Sequence, residues 1–424
     1  MRLALIAGAL ALGSAPARGD VHGDNCAAVK VAVPARFDLV TKHDAPLQDI
    51  VDYGTSPGSL DPLFTKLAQV ARLKRGVLRI GIYGDSNWTN DRTAGEIRRR
   101  LQISFGDAGH GFIAFGIPWG WYHHQNVQHG TTGAWTTWNI ATMTVRDQLY
   151  GFAGISAEST QAGATAWVET AKAGDPVGTA VSAFEVWYLA QPKGGSFDVI
   201  IDGEVKETVA SDGTLEMKFA RYKVPDGSHR LTIKVKKGRV RLFGATLERE
   251  RPGVIVDGIG INALSAATMT RMEPANQNAG LARRNYDLLL DVTGTNMWAA
   301  QAHTKLLGKH IAQWRHALPN ASFMLWSAPD FMSEGTNASV PRMKQNAKEK
   351  HDAAKESKVG WWDQYEALGG WGSMPKWHKD GWDTPDGVHM GPKLSAYIGE
   401  RFVYAVLKEL ARRVERDPKL GCTR

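Results

Sequence analysis

The chain has 424 residues, 43% apolar and 22% charged, which is enough apolar matter to bury a sizeable core; disorder is not the expected state, and two domains are expected rather than one. A formal net charge of +8 favours anionic surroundings, but the basic residues are scattered apart from Arg98-Arg99-Arg100 and the stretch 234–241, and no nucleic-acid-binding motif accompanies them. Beyond the first residues no apolar run has the length of a membrane-spanning helix, so no integral membrane segment is expected in the mature chain.

Met1-Arg2, an apolar stretch from Leu3 to Leu12 and the small residues Ser14-Ala15-Pro16-Ala17 read as a secretory signal over residues 1–20. The alternative is a buried N-terminal helix. Export places the protein in the periplasm or outside the cell. The only two cysteines, Cys26 and Cys422, stand near opposite ends of the mature chain, where a disulfide is chemically permitted; two free thiols are the alternative.

Val77 to Tyr83 is a short apolar run of the buried-strand type that ends directly at Gly84-Asp85-Ser86. From Thr93 to Phe105, Ile97, Leu101 and Phe105 recur at helical spacing, and Gly106 is a natural stop. Ser86 therefore occupies the turn of a strand-turn-helix unit. Between Ala164 and Glu250 short β-rich runs alternate with turns: 184–189, 197–201 before the hairpin signal Asp202-Gly203, and 231–235. That spacing predicts an inserted β-sandwich. In the run 184–189, Trp187 and Tyr188 are adjacent, so one of them is expected to face the core and the other to remain available to a glycan. After Pro252 an α/β rhythm returns, with strands at 286–292 and 321–326, an amphipathic helix at 299–318 and a closing helix at 399–414, a pattern that favours a parallel sheet.

A serine hydroxyl becomes a useful nucleophile when a base takes its proton and a third group orients that base. Ser86 at a strand's carboxyl end, with Asp386 and His389 three residues apart in Asp386-Gly387-Val388-His389, supplies candidates for all three roles. Taken singly, Ser86 and Asn296 also read as helix caps and Asp386-Gly387 as an ordinary turn. No Gly-x-Ser-x-Gly elbow, His-Glu-x-x-His, phosphate loop or dinucleotide fingerprint occurs. His123, His124 and His129 crowd one segment without a carboxylate or cysteine at ligand spacing, so no metal is expected. Trp119 and Trp121, with Tyr122, offer a sugar-stacking platform or core packing. Trp382 belongs to a tryptophan- and glycine-rich stretch before Asp386, read as a cleft-shaping loop or a packed insertion.

Four separated blocks, Gly84-Asp85-Ser86, Gly260-Ile261-Asn262-Ala263, Gly294-Thr295-Asn296 and Asp386-Gly387-Val388-His389, resemble in order and spacing those of the SGNH or GDSL hydrolases. The β-rich insertion looks like the carbohydrate-binding-type module of the peptidoglycan O-acetylesterase branch. The resemblance implies a three-layer α/β/α, flavodoxin-like sheet with an inserted β-sandwich, a Ser86-His389-Asp386 triad and no cofactor. It also implies an oxyanion hole built from the backbone N–H of Ser86, a second-block N–H from Ala263 or alternatively Gly260, and the Asn296 side chain. Ala263 stands where the family often has Gly, so this donor depends on Ala adopting the local dihedrals. Asn87, after the serine, falls at a variable family position.

The expected organisation is residues 21–125 and 251–424 as two parts of one hydrolase domain, with 126–250 as the insertion. The expected activity is hydrolysis of O-acetyl esters on peptidoglycan or another polysaccharide. A broad lipase or thioesterase and a non-catalytic glycan-binding wall protein are the alternatives. The partner is an acylated polysaccharide, not nucleic acid; the sequence leaves the oligomeric state open.

Overall fold

The computed structural model describes residues 29–297, 303–333 and 335–422. The expected signal segment and Cys26 lie outside the described residues, as does the start of the helix expected from 299. Cys422 is disulfide-bonded.

The chain is mixed α/β with several sheets. One sheet has six strands: β1 (Val51–Asp52), β2 (Val77–Gly84), β3 (Gly253–Gly260), β4 (Leu288–Asp291), β5 (Ser322–Trp326) and β6 (Gly360–Trp362), in the order β1-β6-β5-β4-β2-β3. All neighbours are parallel except the short edge pair β1 and β6. Side chains alternate along each strand and enter two different cores. Leu288, Leu290, Met324 and Trp326 pack with the helices Asp61–Leu73, Arg92–Phe105 and Pro392–Arg416. Leu289, Phe323 and Leu325 pack with Leu307, Ile311 and Trp314 of the helix His303–Ala317. Both faces of the strands are thus buried, which is why they read as continuous apolar runs rather than alternating ones.

The middle of the chain forms two antiparallel sheets of five and six strands, joined by a shared apolar core that includes Val168, Val199 and Ile233 from one and Phe184, Val186 and Leu242 from the other. The hairpin at Asp202-Gly203 has both central residues at positive φ, 52° and 86°, which matches the twist of its flanking strands. Gly111–Ala114 already pairs with Gly244–Leu247 of the six-stranded antiparallel sheet, so this β region draws a strand from well before residue 126.

The expectation that one of Trp187 and Tyr188 stays free for glycan is corrected. Tyr188 faces the partner sheet, whereas Trp187, on the opposite face, packs with Phe112, Phe152 and Phe219 in the core shared with the α/β part, and both are buried. The strand Val181–Ala190 is covered on both sides, and a strand so placed has no solvent-facing side chain to spare. The same junction holds a buried ionic network. Arg284 pairs with Glu248 and Asp257, Arg79 with Glu248, and Tyr286 donates to Asp257 at 2.6 Å. Among the described residues no helix is long and apolar enough to cross a membrane.

Candidate active site

The carboxyl ends of β2, β3 and β4 meet at one edge of the parallel sheet, where the chain crosses from one side of β2 to the other; open α/β sheets place their ligands at such points. Ser86 follows β2 by two residues and opens a single 3₁₀ turn, Ser86–Trp88. The turn is tight enough that a Cβ on Gly84 would lie 2.2 Å from the Trp88 ring, so only glycine fits there. Asp85 is buried and accepts from the backbone N–H of Asn87 at 3.1 Å, Gly294 at 3.1 Å and Thr295 at 3.0 Å, tying the serine turn to the loop after β4. Burial pushes its carboxyl above the usual range against these donors.

Asn87 has a role its sequence position does not disclose. Its side-chain oxygen accepts from the Met390 N–H at 2.7 Å and so ties the serine turn to the loop that carries His389. On that loop Gly387 supplies a positive φ of 67°, and Asp386 and His389 fold toward each other. His389 Nε2 lies 2.8 Å from Ser86 Oγ, and His389 Nδ1 lies 2.6 Å from Asp386 Oδ2. The other Asp386 oxygen accepts from the Thr384 hydroxyl at 2.6 Å and from the N–H groups of Val388 and His389 at 2.9 and 3.0 Å. Burial opposes the charged form of Asp386, but the Thr384 hydroxyl, the His389 backbone and ring, and the Val388 N–H outweigh it, so the carboxyl titrates well below the ordinary range. A carboxylate held ionised in this way orients one imidazole nitrogen and leaves the other facing the serine.

The residues implied as oxyanion donors stand on the loops that follow β2, β3 and β4. Ala263 has φ 59°, the left-handed conformation that glycine adopts without strain, so the dihedral on which this donor depends is the one observed. Gly260 is aligned with Gly84 on β2, and a Cβ there would come within 2.3 Å of the Trp88 backbone; its place is explained by close packing. Asn296 donates one amide hydrogen to the Leu264 carbonyl at 3.3 Å, joining the loops after β4 and β3. Replacing Ala263 with glycine relieves the left-handed strain but adds chain entropy, so stability should be unchanged or up to about 1 kcal/mol higher with hydrolysis retained, as read by urea unfolding and initial rates.

A cavity of about 390 Å³ opens at Ser86 and His389, lined also by Asn90, Arg92, Trp121 and Asn262. Of the three tryptophans expected at a cleft, Trp121 alone lines it. The expectation is corrected for Trp119, which is buried edge-on against Tyr122, and for Trp382, which packs on Trp377 and Tyr397; aromatic clustering in the sequence does not reveal which ring a core absorbs. Sequence reasoning missed Arg92, Thr384 and Thr89 and took Asn262 only as a member of the second block; no motif marks Arg92 or Thr384, and Thr89 is set by its hydroxyl, which donates to the Ser86 carbonyl at 2.8 Å and accepts from the Trp121 indole N–H at 3.0 Å.

The histidine-rich segment also assembles differently from its sequence. His124 gathers with His110 and Asp91, whose ligand atoms lie within 4.8 Å of one another, whereas His123 is exposed. Asp91 is the carboxylate that local spacing could not supply. Both of its oxygens, however, accept from the buried Arg98 guanidinium at 2.7 and 2.9 Å, and one also accepts from the Gln125 N–H. A cation there would face a fixed positive charge. Burial lowers His124 to about 3 and His129 to about 4, so both are neutral at pH 7 and the cluster is a hydrogen-bonded tie between the Ser86 loop and the Trp121 loop.

A serine, an imidazole and a carboxylate joined in this order at the carboxyl edge of a parallel sheet form the arrangement that serine hydrolases use for acyl transfer. The fold agrees with a solved structure of a peptidoglycan O-acetylesterase in action, at 24% identity and a TM-score of 0.71, over 86% of this chain and 99% of that one. A family two carbohydrate esterase from Cellvibrio japonicus aligns at 11% identity and TM-score 0.27, over 68% of this chain and 99% of that one. A lipase/acylhydrolase from Enterococcus faecalis aligns at 15% and 0.27, over 38% and 77%. No protein-family model and no curated protein matches.

Proposed function

We propose that the chain is an exported serine esterase of the SGNH type that removes O-acetyl groups from peptidoglycan or a related polysaccharide. The observation that carries this reading is the unbroken hydrogen-bonded run Ser86, His389, Asp386 opening onto a cavity. His389 takes the Ser86 proton as Oγ attacks the ester carbonyl, and Asp386 stabilises the imidazolium that forms. The oxyanion is received by the Ser86 and Ala263 N–H groups and the Asn296 amide. His389 then returns the proton to the departing sugar hydroxyl, and a water activated by the same imidazole releases acetate from the acyl-serine.

In this reading the six-stranded sheet and the helices on its two faces are the three-layer hydrolase domain, assembled from 21–125 and 251–424. The antiparallel sheets, built from 126–250 with the strand Gly111–Ala114 added from before it, form the inserted carbohydrate-binding-like sandwich, and residues 1–20 direct export to the periplasm or beyond. The acetylated polymer is chosen from the fold shared with the peptidoglycan O-acetylesterase structure, from the inserted sheets and from the net charge of +8.

Replacing Asn296 with alanine removes one oxyanion donor and is expected to lower kcat by about 10²- to 10³-fold with a smaller change in KM. Acetate release from O-acetylated peptidoglycan, compared with acetylated xylan and with long-chain p-nitrophenyl esters, tests the substrate. Faster turnover of long acyl chains would replace the polysaccharide by a lipid or thioester substrate, and no hydrolysis of any ester would leave a glycan-binding protein.

A further inference from the structure

Two side chains on the wall of the Ser86 cavity are not used by the chemistry above. Trp121 is 55% exposed, unusually so for a large aromatic, and yet its position is fixed: the indole N–H donates to Thr89 Oγ1 at 3.0 Å, and Thr89 in turn donates to the Ser86 carbonyl. Its loop is fastened to the serine turn by the Gln125 N–H on Asp91 at 2.9 Å. With the polar edge satisfied and the loop tied down, what remains open to solvent is the apolar ring, held beside the nucleophile. Arg92 is the second. It is half-buried on the same wall, and burial lowers its pKa with no acidic neighbour opposing the shift. Neighbouring arginines behave otherwise: Arg98 is paired with Asp91, Arg99 with Glu96, and Arg100 with Asp38, Glu96 and Glu400, whereas Arg92 has no carboxylate within ion-pair distance among the described residues. The one carboxylate lining the cavity, Asp386, is engaged by Thr384, Val388 and His389. A partly desolvated guanidinium facing a cavity without a partner is a ready site for an anion.

We propose that Trp121 and Arg92 form a subsite for an acidic sugar, Trp121 stacking on the apolar face of the pyranose and Arg92 pairing with a carboxylate carried on that sugar or the next. The inference rests on the esterase reading for the presence of an acyl group, but binding itself does not require turnover. The enzyme thereby selects O-acetylated glycans with a carboxylate near the ester, such as a lactyl ether or a uronic acid, over neutral ones.

The test uses one acetylated muramic-acid-containing oligosaccharide, its carboxyl methyl ester, and the de-O-acetylated form of the parent acid. Wild-type enzyme is expected to prefer the free acid over the methyl ester by about tenfold or more in kcat/KM, and Arg92→Gln to bring the ratio close to one. Trp121→Ala should raise KM for both compounds while leaving the ratio in place. In calorimetry, binding of the de-O-acetylated acid should weaken about tenfold in Arg92→Gln and lessen with added salt. A wild-type ratio near one, or a ratio that Arg92→Gln does not change, overturns the proposal. Absence of acetate release with carboxylate-dependent binding intact would overturn the esterase reading and leave the subsite standing.

Discussion

Replacing Ser86 with alanine is expected to lower kcat for acetyl-ester hydrolysis on the order of 10⁴- to 10⁶-fold while leaving the fold in place. The hydroxyl's neighbour is His389 Nε2 at 2.8 Å, whereas the turn itself is held by Asp85 and Asn87 through backbone groups that the substitution does not touch. Because the two side chains act as a unit, His389→Ala should cost about as much as Ser86→Ala, and the double variant little more than either. What activity remains is expected to come from the proposed oxyanion donors and the cavity. Initial rates on p-nitrophenyl acetate, with circular dichroism to check folding, decide the matter. A folded Ser86→Ala protein that keeps a tenth of its activity would remove the serine from the mechanism.

The largest stability effect is expected at Arg284. This side chain is 4% exposed and stands where the helix Pro274–Arg284 meets β3 and the strand Val240–Glu248, pairing with Asp257 at 2.5 and 3.0 Å and with Glu248. Arg284→Ala leaves Asp257 with only its Tyr286 and Phe112 donors and Glu248 with Arg79 alone, at a cost of about 3–5 kcal/mol in urea unfolding. The network also sets an acid limit. Burial acts to raise Glu248, but Arg284 and Arg79 outweigh it and hold the carboxyl at about 2, below its ordinary 4.5. A folded-state value below the unfolded one means the stabilisation is complete above pH 4.5 and lost as pH falls toward 2, by roughly 3 kcal/mol. Arg284→Ala should flatten that part of the stability-pH curve. Equal slopes for the two proteins would place the acid sensitivity elsewhere.

Much of the α/β frame was legible because its strands are continuous apolar runs bounded by punctuation. The strand read at 77–83 is found at Val77–Gly84, the helix at 93–105 at Arg92–Phe105, and the strand at 321–326 at Ser322–Trp326. The closing helix is longer than the expected 399–414, running over Pro392–Arg416. It begins at Pro392, a proline at the first helical position with Leu394, Tyr397 and Ile398 continuing its apolar face. The helix Arg342–Ser357 was missed because it is largely polar and buries Lys350, whose ammonium bonds Asp291 at 2.9 Å; hydrophobic periodicity cannot announce a face completed by an ion pair.

In the site, local motifs pointed to Ser86, Asp386 and His389, and the structure brings these three together. The couplings that hold them lie beyond local reading. Asp85 meets Gly294 and Thr295 across more than 200 positions, and Asn87 meets Met390 across 303. Such contacts become visible only when parallel strands distant in sequence are laid side by side.

Ser86 is expected to carry the acyl group during turnover. Rapid mixing of the enzyme with p-nitrophenyl acetate, acid quenching and intact mass measurement test it directly. The expected result is one acetyl group per wild-type chain, mapped to the peptide containing Ser86 and absent from Ser86→Ala. Turnover with an unmodified enzyme, or with the acetyl group on another residue, would contradict the account.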